Sequence, residues 1–152
     1  MTHEKDSNVL DSAVADVRGW LDEICERLGW ASRRAALAAL RAALHVLRDR
    51  LTTEQNAHLS AQLPLIVRGL YFEGWRPGHV ATTLRRDVDA YLEQVSAQLG
   101  DWRDEVDAED VAQAVYGVVT GHIDEGEVQK VGASLPRGLR QVWLGSHRAP
   151  AS

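Results

Sequence analysis

Apolar residues step along the first third of the chain in the rhythm of a helix. Leu10, Val14, Val17, Leu21, Ile24 and Leu28 alternate steps of four and three, which draws one apolar stripe, and Gly29 supplies the stop. Residues 1–8 are polar and are expected to fray. Ser32 is placed to cap a second helix, whose stripe is Leu37, Leu40, Leu44, Leu47 and Leu51 on an alanine-rich body that lets a neighbouring helix come close. Thr52 with Gln55 reads as a capping box opening a short third helix, which the approach of Pro64 ends near Gln62. Pro64, suited to the first helical position, then opens a fourth. Farther on, Asp107 with Asp110 starts a helix carrying Val111, Val115, Val118 and Val119, Asp124 with Glu127 reads as a second capping box, and Pro136 opens the last helix. No run alternates polar and apolar residues, so the fold class is all-α; valine-rich 115–119 is the one place where a strand competes.

The pattern also repeats. Leu63-Pro64-Leu65-Ile66-Val67-Arg68-Gly69-Leu70-Tyr71 and Leu135-Pro136-Arg137-Gly138-Leu139-Arg140-Gln141-Val142-Trp143 share leucine, proline, arginine and aromatic at an offset of seventy-two. Asp16 to Gly29 lies over Asp87 to Gly100 at an offset of seventy-one, and aspartate, stripe, aromatic and terminal glycine all recur. A duplicated helical domain follows: two similar four-helix units packed together, over 9–73 and 80–144. Residues 74–79, within a stretch of two glycines and a proline, form the connector, and 145–152 a flexible tail.

Composition narrows the function classes. With 45% apolar residues in 152, the chain can bury a sizeable core. Its apolar runs are far shorter than the roughly 20 residues of a membrane span, and the start lacks a hydrophobic signal core. A single cysteine, Cys25, allows no internal disulfide and fits a reducing compartment; the expectation is a soluble cytoplasmic protein. The net charge of -5 disfavours nucleic acid, but it is unevenly spread: -4 over residues 1–30, +4 over 31–90 and -5 over 91–152. A basic centre between acidic ends is expected to be neutralised by its own flanks.

Candidate chemistry is sparse. Arg68 and Arg140 hold matched positions, as do Asp16 and Asp87. The structural reading pairs each arginine with the aspartate of its own unit; the functional one has both forks binding a phosphate or carboxylate. Of five tryptophans, Trp20 and Trp143 read as core, whereas Trp75, with Tyr71 and Phe72, reads either as a plug or as an aromatic interaction patch. Arg34, Arg41 and Arg48, spaced by seven, line one helix face that can follow a phosphate backbone; Arg33, Arg50, Arg85 and Arg86 add to the basic centre. No histidine pair has metal-ligand spacing, and in the group His122, Asp124, Glu125 and Glu127 the acids serve as well for capping. Acidic neighbours of Cys25 raise its pKa and disfavour a nucleophile. No catalytic residue, metal or cofactor is expected.

The duplicated Leu-Pro-x-x-x-Arg stretches, with Arg48-Asp49-Arg50-Leu51 before the first and Trp75 and Pro77 after it, resemble the bacterial domain of unknown function family 2267. The likeness runs from Val14 to Trp143 and implies an all-helical, duplicated bacterial domain without an assigned activity. The leading expectation is therefore a non-enzymatic protein-protein interaction module, binding a protein partner or a second copy. A small anionic ligand held by Arg68 and Arg140 is the alternative, and nucleic acid on the Arg34 face a weaker one.

Overall fold

The computed structural model describes residues 2–77, 88–102 and 104–148. Eight α-helices run through them: α1 (Thr2–Leu28), α2 (Arg33–Arg48), α3 (Thr53–Ser60), α4 (Leu65–Tyr71), α5 (Val88–Gln98), α6 (Ala108–His122), α7 (Glu125–Ser134) and α8 (Arg137–Arg148). A 3₁₀ turn at Gly100–Trp102 follows α5, and no strand occurs among the described residues; Val115 to Val119 is helical.

Local chemistry explains most boundaries. Ser32 Oγ accepts the Ala35 amide, and Thr52 and Gln55 exchange both bonds of a capping box. Asp107 accepts from the amides of Glu109 and Asp110. Gly29 and Gly100, matched in the repeat, both take positive φ, 68° and 60°; at Gly29 the Trp30 amide reaches back to the Cys25 carbonyl, the closure that ends α1.

Several boundaries differ from the sequence-based expectation. α1 is already helical at Thr2, and α8 continues through 145–148, where a loose tail is expected; an amphipathic face anchored at one end carries the helix past its polar terminus. Pro64 and Pro136 stand one position ahead of the first helical residue, their carbonyls accepting the amides of Arg68 and Arg140, four residues on, at 2.8 Å. Asp124 precedes α7 but caps nothing with its side chain: its own amide is taken by Gln62 Oε1 at 2.7 Å.

α2 and α6 form the centre. Ala36, Ala39, Leu40, Ala43, Leu44 and Leu47 are buried on α2, and Val111, Val115, Tyr116, Val118 and Val119 on α6. The two pack on each other; α1 lies on both, α5 lies on both, α4 covers α1 and α2, and α8 covers α5 and α6. α3 meets α7. α1 is covered mainly in its second half: Trp20, Leu21 and Ile24 are buried, whereas in the first half Ala13 is buried but Val9, Leu10 and Val14 are exposed, so the expected stripe leaves the core above Val17. No helix among the described residues is long and apolar enough to cross a membrane.

Candidate functional site

The two matched arginines do the same thing. Arg68 donates from Nε to the Ser60 carbonyl at 2.9 Å and from Nη2 to those of Ala61 and Leu63 at 3.4 and 3.1 Å. Arg140 repeats this on Gly132, Ala133 and Leu135 at 2.9, 3.1 and 3.2 Å. Each guanidinium thus collars the C-terminal end of the preceding helix, where carbonyls lack amide partners and the helix dipole is negative. The expected pairing of Arg68 with Asp16 does not form: the carbonyls lie within reach, and Asp16 is exposed on α1. Asp87 lies outside the described residues. The Nε and Nη2 edge that would grip an anion is occupied at both arginines.

The basic face of α2 is likewise divided. Arg41 pairs with Glu73 at 2.9 Å, and Arg33 with Asp22 at 2.7 Å. Arg48 is buried, held by Asp49 at 3.0 Å and by the carbonyls of Tyr71 and Glu73 at 3.0 and 2.6 Å, so it does not belong to an exposed stripe. The end of α4 packs on the side of α2 that carries it. Arg34 is exposed; Arg85 and Arg86 lie outside the described residues.

Of the aromatic patch, Tyr71 belongs to the core, its hydroxyl donating to Oδ1 of the buried Asn56, whose Nδ2 in turn donates to the carbonyls of Arg48 and Leu51. Phe72 and Trp75 are half-buried, with ring centroids 4.9 Å apart. Trp143, which occupies the position of Tyr71 in the repeat, is buried and bonds from Nε1 to the Val128 carbonyl at 2.8 Å.

Aromatic contacts also tie helices distant in the chain together. Trp20 of α1 stacks on His122 at the end of α6, 4.9 Å between centroids, and Arg50 after α2 lies 4.9 Å over the ring of Tyr91 on α5. Trp20 and Tyr91 are matched positions, and so are Arg50 and His122. His122 Nε2 meets Glu23 at 2.6 Å, while Glu125 meets His147 at 2.6 Å, so the candidate ligand group is drawn apart. Cys25 is half-buried against the Ser32 carbonyl; burial first, then Asp22, pushes its thiol pKa up.

Two features were not singled out in the sequence. The first is the surface of Val9, Leu10 and Val14 with Leu65, the exposed large apolar residues among those described; Val9 and Leu65 face one groove with Asn8, Ser12, Ala13 and Asp16. The second is a cleft of about 370 Å³ between α3 and α7, lined by Glu54, Gln55, His58, Glu127, Lys130 and Ser134 among others and bridged by Gln55 Nε2 to Ser134 Oγ at 2.7 Å. Glu127 is only 7% exposed there, although a glutamate in a first helical turn reads as a solvated dipole partner.

Fold and sites together define an all-α protein whose conspicuous arginines serve its own backbone. The family model described as "Uncharacterized conserved protein (DUF2267)" matches residues 17–142, and the chain belongs to that family. No curated protein matches it.

Proposed function

We propose that this is a non-enzymatic interaction module, built by duplication of one four-helix unit, that holds a basic amphipathic helix of a protein partner on the first half of α1 and Leu65. The observation that carries the reading is that Val9 and Leu65, both exposed, face one groove, with Leu10 and Val14 exposed on the same stretch of α1, the four being the exposed large apolar residues among those described. A single helix face rimmed by polar residues suits a helix laid alongside it. Charge points to the sign of the partner: Asp11 and Asp16 lie along this stretch, and no basic residue occurs from Ser7 to Val17. Two copies of such a face would set like charges together, which disfavours self-association.

Duplication is supported by the matched collars of Arg68 and Arg140 and by most of the packing when α1–α4 are exchanged for α5–α8: α1 on α6 becomes α5 on α2, and α4 on α2 becomes α8 on α6, whereas the packing of α7 on α8 has no equal between α3 and α4. A lone cysteine and the acidic composition support a cytoplasmic setting as part of the same proposal.

The test is affinity capture from bacterial cells with the native chain and with a Leu10→Asp, Leu65→Asp variant. A protein retained by the first and lost by the second, with a basic amphipathic segment that binds as a synthetic peptide, is the expected result. Identical retention overturns the reading. A native dimer that the variant dissolves in sedimentation assigns the surface to a second copy instead.

A further inference from the structure

We propose that the groove between α1 and α4 selects its partner helix by one pair of residues, a large apolar side chain seated between Val9 and Leu65 and an arginine one helical turn away that meets Asp16. This rests on the helix-docking function proposed above and adds to it the residues that set specificity.

The groove, of about 370 Å³, is lined by Asn8, Val9, Ser12, Ala13 and Asp16 of α1 and by Leu65 of α4. Val9 with Ala13, and Asn8 with Ser12 and Asp16, are spaced by four, so all five lie on one flank of α1. Val9 and Leu65 are 59% and 57% exposed, yet the residues beside them, Ser12 and the buried Ala13, are too small to fill the room at their side. An apolar side chain entering there takes both large residues out of water at once, and the small ones let the backbone that carries it come close.

Charge supplies the second half of the pair. Asp16 is exposed, and among the described residues it has no ion pair or hydrogen bond through its side chain. Its own helix offers no cation: no basic residue occurs from Ser7 to Val17, and Arg18 stands on the opposite side of α1, in the field of Asp22. Asp11 is likewise turned away from the groove, and Asn8 at its other end is uncharged, so the lining presents a single carboxylate. Asp16 lies one turn, about 5.4 Å, beyond Ser12, which sets the basic residue of a helix lying along α1 three or four positions from its apolar anchor. Arginine suits the place, because its stem can follow the apolar wall while its planar fork takes both oxygens of a carboxylate.

The experiment pans the full native chain against a phage-displayed library of alanine-rich single helices with randomised surface positions, then titrates the enriched helices as synthetic peptides by fluorescence anisotropy. Enrichment of a large apolar residue with an arginine three or four positions away is expected. Ser12→Phe, which fills the groove from an exposed position, is expected to abolish binding. Asp16→Asn is expected to weaken the arginine peptide about fivefold and to leave its arginine-to-glutamine counterpart unchanged, which isolates the pairing of the two charges. Both substitutions stand on the exposed surface of α1 and leave the core intact. The proposal is overturned if no helix is enriched, if the enriched helices lack the pair, or if they bind Ser12→Phe or Asp16→Asn as they bind the native chain. Helices that tolerate these two variants but are lost on Leu10→Asp, Leu65→Asp overturn the pair alone and leave the docking face standing; helices that bind all of the variants equally overturn both.

Discussion

Backbone carbonyls at helix ends hold several of this protein's basic side chains. Arg68 and Arg140 each hold three, and Arg48 and His45 hold those at the end of α4, His45 by donating from Nε2 to Leu70 at 2.7 Å. Arg68→Ala and Arg140→Ala are each expected to lower stability by about 1–2 kcal/mol in urea unfolding, and lysine is not expected to restore it, because one ammonium cannot reproduce the planar fork. Two of the buried tyrosines, Tyr71 and Tyr91, give a sharper contrast. Tyr71→Phe leaves Asn56 Oδ1 without its donor and is expected to cost about 1–3 kcal/mol. The Tyr91 hydroxyl is buried with no hydrogen-bond partner, so Tyr91→Phe should be neutral or stabilising by up to about 1 kcal/mol in the same measurement. Burial holds the pKa of His45 below its ordinary 6.5. As pH falls through that value the unfolded chain takes up the proton first, so stability present above it is lost on the way down to the lower folded value. Unfolding midpoints compared at pH 7 and pH 5 should therefore fall less in His45→Gln than in the native chain, with the other histidines as a common background.

At the scale of elements, what could be read in the sequence was whatever the sequence itself encodes as a pattern. Stripes, the caps at Ser32, Thr52 and Asp107, and the stop at Gly29 follow from side chains acting on nearby backbone, and the structure has them. The partner of Arg68 did not follow, because a carbonyl has no letter of its own; Asp16 stood in for it. Nor does periodicity say how far along a stripe the covering helices reach, so Leu10 and Val14 were expected inside although α1 outruns its neighbours. The α3–α7 cleft depends on two elements distant in the chain, and Glu127 gave no local sign of being enclosed. Close packing of α7 on α8 gives a further prediction. A Cβ on Gly132 would stand 3.1 Å from Leu144 Cδ2 and 3.3 Å from Trp143 Cδ1, and the indole is held in place by Val128. Gly132→Ala is expected to destabilise by about 1 kcal/mol in thermal unfolding despite the better helix propensity of alanine.

At the scale of the whole molecule, helices far apart in the chain lie across one another. α1 rests on α6 as well as α2, and α5 on α2 as well as α6, with Trp20 on His122 and Arg50 on Tyr91 at equivalent crossings. Calorimetry of the intact chain should show one transition, and the separate fragments 1–77 and 78–152 should each unfold without cooperativity and regain it on mixing. For the duplication proposed above, the crossing bears on ancestry. A solitary precursor of half this length would have left its first helix uncovered on one side, and a twin molecule would have supplied the missing surface. Fusion of the two genes would then have turned an association that depended on concentration into one that every newly made polypeptide carries within itself.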